Sequence, residues 1–403
     1  MLPGMLMSDV IGLDALKGNL TEMVKSNRLH HALLFLGKEG SGALPLAMAF
    51  AQYVVSIPPA PPVIPDLFGN LSALPGENAF ISPDDIHTQP GYQRAAQLIH
   101  PDLHFTFPVF PKKSGDKPVS DDYIQEWRDF VSSYPYGNVY DWLQSIGADN
   151  KQGNITSEEC NRIHHQLNLK SFESETKVVL IWMPEYLKKE GNKLLKLLEE
   201  PPVHTLFILV AENEEEILPT IISRCQLIRV PSPEPAEIAA ALILRAGADP
   251  DRATQIAGIC EGNYREALQL LQHAEDDWNG LLREWLNATM KGGPVYQNKF
   301  AEEMNKLGRE KQKQLLKYFI HLLEQSIRLK ILGAEGVKMG DTERDFAERM
   351  NKISSVSQQE SIISEMEKAI YYIERNANAR ILFQALSIKL LYIIQHKSVL
   401  LVS

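Results

Sequence analysis

Residues 177–230 read KVVLIWMPEYLKKEGNKLLKLLEEPPVHTLFILVAENEEEILPTIISRCQLIRV, and this stretch decides the fold of the chain. Two short apolar runs, Val178–Ile181 and Leu206–Val210, have the length and composition of buried parallel strands. Between them, Asn192–Leu198 carries leucines at helical spacing, and Pro201–Pro202 end the predicted helix. A strand, a helix and a second strand at this spacing form a crossover connection, so the stretch predicts a parallel sheet.

The composition excludes several classes of protein. A length of 403 residues exceeds one ordinary domain, and 44% apolar residues are enough to bury substantial cores. A net charge of −10 argues against a chain that coats DNA by itself, because phosphate contacts need clustered Lys and Arg. Cys160, Cys225 and Cys260 are odd in number and far apart, which predicts reduced thiols. Met1–Ile11 lacks the pattern of a secretory signal, so we expect a cytoplasmic protein without a membrane segment.

A glycine-rich loop follows a predicted strand that ends at Leu36. The loop contains three glycines, Gly37, Gly40 and Gly42. A strand, a glycine loop and a helix are typical of a phosphate-binding P-loop, but the lysine position holds Ala43 and the Ser/Thr position holds Leu44. Neither residue can supply charge to phosphate or a hydroxyl to magnesium, and Glu39 adds a carboxylate where phosphate would lie. We therefore expect no nucleotide on this chain and attribute the glycines to a tight turn.

The end of the next predicted strand lacks the acids of a working ATPase. An active enzyme places Asp there for magnesium and Glu beside it for the attacking water. This chain has Trp182–Pro184 at that point, and Glu185 lies beyond the expected position. After the following strand, Asn213 keeps the polar residue type of a γ-phosphate sensor, although it could equally cap the strand end. The sequence thus predicts that both halves of an ATPase site are degenerate.

The region around residues 56–118 is rich in proline and favours an extended, irregular path. It contains no cysteine, so zinc is not expected there. His87, His100 and His104 lack the spacing of metal ligands, and we interpret them as surface or strand-end residues.

Residues 121–143 are rich in aromatic rings, which are Tyr123, Trp127, Phe130, Tyr134, Tyr136, Tyr140 and Trp142. Stacking on single-stranded bases is one interpretation of such a group. However, only Arg128 is interleaved with the rings, and three of them share one helical face, so we predict packing within the protein core.

Two short elements carry a family resemblance. Glu199–Pro202 (EEPP) followed by Ser223–Cys225 (SRC), directly before a predicted strand at Leu227–Val230, resembles the clamp-loader branch of the AAA+ family. Val10–Gly12 and His100–His104 are similar to that branch as well. The resemblance extends over most of residues 8–270 and, more loosely, over the helical tail. Many members carry a four-cysteine zinc module after the P-loop helix, which this cysteine-free region lacks.

The resemblance implies three domains. Residues 1–231 would form an α/β core of the P-loop NTPase (AAA+) type, built on a parallel sheet and interrupted by the proline-rich insertion at about 56–118. Residues 232–292 would form a small helical lid domain. Residues 293–403 would form an all-α collar domain through which the subunits assemble.

Within this branch, the degenerate nucleotide site resembles the delta-prime subunits of bacterial DNA polymerase III, which are not ATPases by themselves. The resemblance implies a stator in a hetero-pentameric ring with gamma/tau-type motor subunits and delta, which loads a sliding clamp onto primer–template DNA. Arg224, between Ser223 and Cys225, would be an arginine finger that reaches ATP–Mg on the neighbouring motor subunit. The alternative for Arg224 is a structural ion pair near the strand.

The resemblance also bears on the nucleotide site of this chain itself. Arg265, within Gly262–Leu268, lies at the second-sensor position of the lid, and we expect a structural role for it because no phosphate is expected here. The alternative function is an active motor-type ATPase with an atypical site. That alternative requires Lys38 or Glu185 to replace the missing groups.

Overall fold

The computed structural model describes residues 5–59, 80–111, 115–148, 153–272, 278–333, 341–375 and 377–396. Part of the predicted proline-rich insertion, residues 60–79 and 112–114, lies outside the described residues. The chain divides into two compact units, Met1–Gln269 and Leu270–Ser403. The finer division into core, lid and collar remains a prediction.

The first unit is built on a sheet of five strands. They are β1 (Ala32–Gly37), β2 (Leu103–Thr106), β3 (Lys177–Trp182), β4 (Thr205–Ala211) and β5 (Gln226–Val230). The spatial order is β2-β3-β4-β1-β5, and each neighbouring pair is parallel. The predicted fold class, an α/β parallel sheet followed by helical regions, is confirmed.

Helices surround this sheet and continue beyond its last strand. The helices are α1 (Asp14–Lys25), α2 (Ala43–Ser56), α3 (Pro90–Ala96), α4 (Ile124–Ser133), α5 (Val139–Ser145), α6 (Ser157–Asn168), α7 (Leu195–Glu199), α8 (Pro219–Ile222), α9 (Pro235–Ala246), α10 (Pro250–Ile259) and α11 (Tyr264–Gln272). Alternate strand residues face opposite sides of the sheet, as the pleat requires. In β1, Leu33 and Phe35 join the core formed with α2, whereas Ala32 and Leu34 join the core formed with α6 and α7.

The sequence after Pro101 predicts a strand over roughly Leu103–Val109, but β2 ends at Thr106. Pro108 has no N–H and cannot donate to a ladder, so the strand ends before it. Val109 instead forms an isolated antiparallel bridge with Asn154, in which each backbone N–H donates to the other's carbonyl at 3.0 and 2.9 Å. A proline within an apolar run therefore ended an element that hydrophobicity alone would have extended.

The predicted helix at Asn192–Leu198 is α-helical only from Leu195, where α7 begins. A 3-10 helix spans Pro184–Leu194 and passes directly into α7. Lys188 interrupts it with φ 46° and ψ −131°. A Cβ at Gly191 would lie 2.9 Å from Ile221 Cδ1, so this segment packs tightly beside α8. The first three residues of the predicted helix therefore take the tighter 3-10 form, which continues from the closely packed segment at Gly191.

The aromatic rings of residues 121–143 lie mainly in the core, as predicted. Trp127 and Trp142 have no exposed surface, and their ring centroids are 5.4 Å apart in an edge-to-face arrangement. The indole of Trp142 donates its N–H to the carbonyl of Pro108 at 2.7 Å. Tyr134 and Tyr140 are the exceptions, with 59% and 37% of their surfaces exposed.

The second unit is helical and has its own core. Its helices are α12 (Trp278–Met290), α13 (Gly293–Lys306), α14 (Arg309–Leu332), α15 (Asp341–Ile353), α16 (Val356–Glu374) and α17 (Ala379–His396). Trp285 lies at the centre, stacked on Phe300 with a centroid distance of 5.7 Å, and its N–H donates to Ser387 Oγ at 2.9 Å. Among all the helices that the structure describes, none has the length and apolarity needed to cross a membrane.

Candidate functional site

The glycine loop connects β1 to α2 at the carboxyl edge of the sheet. Gly40 and Gly42 have φ values of +69° and +94°, which side-chain-bearing residues rarely adopt. A Cβ on Gly40 would lie 1.9 Å from Asn263 Oδ1, in the turn before α11. The loop therefore needs glycine to fit against this neighbouring turn of its own unit, independently of any phosphate.

The positions that would hold the lysine and the hydroxyl are part of the core. Ala43 is 7% exposed and Leu44 is 6% exposed, and both pack in the cluster beneath the sheet. The cavity between the loop and the ends of β3 and β4 has a volume of about 20 Å³. Such a space holds about one water molecule.

The end of β3 is apolar where an ATPase needs carboxylates. Trp182 is 2% exposed, and its ring lies 5.1 Å from Trp127 and 6.1 Å from Phe130. Met183 is buried as well and has a left-handed backbone, with φ 56°. These side chains complete the aromatic core and offer no ligand to a metal ion.

Glu185 is buried and connects the ends of two strands. Its Oε1 accepts hydrogen bonds from the backbone N–H groups of Glu212 and Asn213, at 2.7 and 2.9 Å. Its Oε2 is buried and has no hydrogen-bond partner among the described residues. Burial raises the pKa of this carboxyl above its ordinary value. Glu185 therefore braces the turn after β4.

Asn213 uses its side chain locally. Its Oδ1 accepts a hydrogen bond from the backbone N–H of Glu215 at 3.0 Å and so caps the short 3-10 turn Glu214–Glu216. Of the two roles that the sequence left open for this residue, sensor or cap, the structure contains the cap.

Arg265 lies buried at the centre of a polar network beside the glycine loop. Its side chain is 6% exposed, and its guanidinium donates to both oxygens of Asp141, with Nη2 to Oδ1 at 2.6 Å. Its Nη1 donates to Glu39 Oε1 at 3.1 Å. Asn263 Nδ2 also donates to Glu39 Oε1 at 3.1 Å, and Asn138 Nδ2 donates to Glu39 Oε2 at 2.9 Å. Two carboxylates of the chain itself thus pair with the guanidinium of Arg265.

Sequence reasoning did not find Asp141 as a partner of Arg265. Asp141 lies in α5, 124 residues away along the chain. A local signal was present, because Asn138 and Asp141 form a capping box at the start of α5, with Asp141 N–H donating to Asn138 Oδ1 at 2.9 Å. That signal predicts a helix start but not the arginine that the same carboxylate binds.

Arg224 lies at the opposite, amino-terminal edge of the sheet. It follows α8 and precedes β5, and its side chain is 30% exposed. Its Nη1 donates to the Thr220 carbonyl at 2.9 Å, and its Nη2 donates to Glu199 Oε2 at 3.1 Å. Glu199 belongs to α7 and is 60% exposed. The EEPP and SRC elements therefore meet through this ion pair.

The two neighbours of Arg224 fix its backbone. Ser223 Oγ donates to the Thr220 carbonyl at 3.2 Å, the same oxygen that Arg224 contacts. Cys225 packs at the margin of the core formed with α6 and α7, and burial raises the pKa of its thiol to about 12. At neutral pH this thiol stays protonated, so Cys225 acts as a small apolar anchor.

The glycine loop and Arg224 are far apart. β5 pairs with β1 in a register that joins Gln226 to Leu33 and Val230 to Gly37. Arg224 lies in the turn before Gln226, so the rise of β5 from Gln226 to Val230, roughly 13 Å, separates it from the level of Gly37. Arg224 is therefore at the end of β5 opposite the glycine loop of its own chain.

The described residues contain no group of three or more His, Cys, Asp and Glu side chains arranged to hold a metal ion. His100 is buried and its Nδ1 accepts the backbone N–H of Asp102 at 3.2 Å. Burial lowers the pKa of this imidazole, which favours its neutral form. Asp102 in turn accepts hydrogen bonds from three consecutive backbone N–H groups, Phe172 to Ser174, at 2.7 to 2.8 Å.

Comparison with known proteins gives a consistent set of relatives. The sequence model of a family described as DNA polymerase III, delta subunit, matches residues 84–234. The chain is 34% identical over 129 residues to the DNA polymerase III subunit gamma of Buchnera aphidicola subsp. Acyrthosiphon pisum (strain APS), covering 30% of this chain and 36% of that protein. It is 24% identical over 257 residues to the DNA polymerase III subunit delta' of Bacillus subtilis (strain 168), covering 64% of this chain and 58% of that protein.

A solved structure of a DNA polymerase III gamma subunit-related protein from Thermotoga maritima aligns with 95% of this chain and 99% of its own, with a TM-score of 0.37 and 14% identity. The matches to the curated relatives are partial: the chain spans about a third of the gamma subunit and somewhat more than half of the delta' subunit.

Proposed function

We propose that this chain, a clamp-loader subunit of the AAA+ family, is a non-catalytic subunit of the delta-prime type. In this role it binds no ATP and contributes Arg224 to the ATP site of a neighbouring motor subunit. Its partners are gamma/tau-type motor subunits and a delta subunit in a hetero-pentameric ring, which loads a sliding clamp onto primer–template DNA.

The observation that carries this proposal is the pairing of Arg265 with Glu39 and Asp141 beside the glycine loop. A triphosphate entering this loop would find no lysine at Ala43, and it would meet the carboxylate of Glu39. Two like unit charges 4 Å apart repel by about 1 kcal/mol in water and by about 4 kcal/mol at an effective dielectric constant of 20. Binding would also have to break the contacts of the buried arginine.

The position of Arg224 supports the second part of the proposal. A guanidinium is planar and permanently charged, and arginine fingers stabilise the charge on a transferring phosphoryl group. Arg224 is partly exposed and lies at the end of β5 opposite its own glycine loop, with the rise of β5, roughly 13 Å, between them. This separation supports a contact with phosphate on another molecule.

The alternative is an active motor subunit. Its support is the gamma-subunit relative, which is 34% identical, against 24% for the delta' relative. This alternative needs Glu185 or Lys38 to act in catalysis. Glu185 already accepts two backbone hydrogen bonds, and Lys38 would have to replace a lysine that normally lies five residues later in the loop. We therefore prefer the non-catalytic function.

The test is nucleotide binding and hydrolysis by the purified chain alone. Isothermal titration with ATP and Mg²⁺, together with a phosphate-release assay, is expected to show neither saturable binding below millimolar concentrations nor turnover. A gamma-type motor subunit serves as the positive control. Micromolar binding with hydrolysis by the isolated chain would reject the proposal in favour of the motor alternative.

The partner assignment needs a separate experiment. The chain is mixed with gamma/tau-type and delta subunits, and the complex is sized by light scattering and tested for loading of a sliding clamp onto primed DNA. We expect incorporation into a five-subunit complex whose loading activity depends on this chain. A complex that forms and loads equally well without it would contradict the assignment.

A further inference from the structure

We propose that Glu199 is a positioning residue that holds the Arg224 guanidinium in the orientation in which it meets the neighbouring subunit's ATP. This inference rests on the proposed function of Arg224 and assigns a role to the EEPP element, which the proposed function leaves without one.

The guanidinium of Arg224 is held at two points. Nη1 donates to the Thr220 carbonyl at 2.9 Å and Nη2 donates to Glu199 Oε2 at 3.1 Å. Two anchors on a planar group fix its rotation, whereas one anchor would leave it free to turn. Each terminal nitrogen carries two N–H groups, so these contacts leave a second N–H on each for a phosphate oxygen.

The backbone that carries Glu199 is itself fixed. Leu198, the preceding residue, is 1% exposed in the core beneath α7, and its carbonyl oxygen lies 2.8 Å from His31 Nε2. Glu200 N–H donates to the Lys196 carbonyl at 2.9 Å, and Pro201 then prevents the helix from continuing. Glu199 therefore projects from a rigid helix end.

The exposure of the pair indicates positioning rather than stabilisation of the fold. Arg224 and Glu199 are 30% and 60% exposed, and ion pairs with this exposure contribute little to folding. Removal of Glu199 should leave the chain folded. Its effect should appear in the rate at which the neighbouring ATP is hydrolysed, because a finger acts only in its productive geometry.

A latch is the opposite interpretation of the same ion pair, in which Glu199 competes with phosphate for Arg224. The geometry favours positioning, because Glu199 contacts only Nη2, and the second N–H on each terminal nitrogen can receive a phosphate without displacing Glu199, whereas Nε is buried. The two interpretations predict changes of opposite sign, so one experiment separates them.

The experiment uses the complete reconstituted loader with sliding clamp and primer–template DNA. We compare the steady-state ATPase of complexes that contain the unmodified chain, Glu199→Ala, Glu199→Gln, Glu200→Ala or Arg224→Ala. Glu199→Ala is expected to lower kcat at the neighbouring site roughly fivefold, the upper end of what an exposed ion pair contributes. KM for ATP should change little, because the finger acts in the transition state.

The variants act as matched controls for one another. Glu199→Gln keeps an acceptor oxygen for Nη2 and should restore part of the rate. Glu200→Ala removes the adjacent exposed carboxylate and should leave the rate unchanged. Thermal unfolding of each isolated chain and the size of each complex should match the unmodified protein, which separates positioning from loss of structure.

The outcomes distinguish this inference from the function on which it rests. If Arg224→Ala lowers the ATPase rate but Glu199→Ala does not, the arginine-finger role of Arg224 is retained and the positioning role of Glu199 is rejected. A higher rate for Glu199→Ala would identify a latch and reject positioning as well. If Arg224→Ala has no effect, the proposed function of Arg224 fails and this inference fails with it.

Discussion

Arg265 and Arg224 lie at opposite edges of the same parallel sheet and differ in burial and in their partners. Arg265, at the carboxyl edge, is 6% exposed and contacts two carboxylates, whereas Arg224, at the amino edge, is 30% exposed and contacts one exposed carboxylate. The buried arginine is a cross-link within the chain, and the exposed one retains N–H groups for a ligand. Residue type alone therefore does not reveal which arginine is available to a phosphate.

The physical reason for this difference is the cost of a buried charge. The free-energy cost of removing a guanidinium from water must be offset by ion pairs and hydrogen bonds. For Arg265, in α11, these come from Glu39 in the glycine loop and Asp141 in α5. An exposed pair gains little from its mutual attraction because water already solvates both groups. Phosphate can therefore contact Arg224 at low cost, whereas it can reach Arg265 only by displacing two carboxylates.

The largest expected effect comes from Arg224→Ala. In the reconstituted loader, loss of the finger should lower hydrolysis at the neighbouring site by roughly 10³-fold, the scale on which arginine fingers act. The measurement is ATP turnover by a complex whose other motor sites have been inactivated. Arg229→Ala is the matched control, because Arg229 lies in β5 nearby and is 70% exposed. Equal rates for the two variants would remove Arg224 from the site.

The next effect is on stability and concerns Arg265→Ala. This change leaves Glu39 and Asp141 side by side without their cation. Because both carboxylates are partly exposed, we expect a loss of about 2 kcal/mol in the free energy of unfolding, below the range for a fully buried pair. Urea unfolding of the isolated chain provides the measurement. Arg229→Ala should lower the free energy of unfolding by less than about 0.5 kcal/mol. A similarly small loss for Arg265→Ala would contradict the role of Arg265 as a cross-link within the chain.

The smallest expected effect is the pH dependence caused by Glu185. Burial raises the pKa of its carboxyl, so the folded chain binds this proton more tightly than the unfolded chain. The resulting stability is present below the ordinary pKa of glutamate and is lost as the pH rises through the raised value. Glu185→Gln removes this dependence while keeping an acceptor for the two backbone N–H groups. The free energy of unfolding of the variant minus that of the unmodified chain should therefore be larger at pH 7 than at pH 4.5.

Urea unfolding of both proteins across this pH range measures the difference. Glu215→Gln removes an exposed carboxylate from the same turn and gives the background effect of losing one negative charge. A stability difference that does not change with pH would show that burial does not raise the proton affinity of Glu185 in the folded chain.

The sheet shows which elements local sequence patterns predict correctly. Apolar runs predicted β1, β3, β4 and β5 to within one residue at each end, because a buried strand must be apolar along its length. The same reasoning extended β2 too far, since Pro108 ends the ladder. It also missed the 3-10 helix Pro184–Leu194, whose form depends on close packing at Gly191.

By itself, the sequence determined the parallel sheet and the loss of the lysine, hydroxyl and acids of an ATPase site, because these follow from residue types at positions close together along the chain. Only the tertiary structure decided the roles of the two arginines. The partners of Arg265 lie 124 and 226 residues away, and Glu199 lies 25 residues before Arg224. Burial and ion pairing between distant segments arise when the sheet brings the elements together, and no local pattern encodes them.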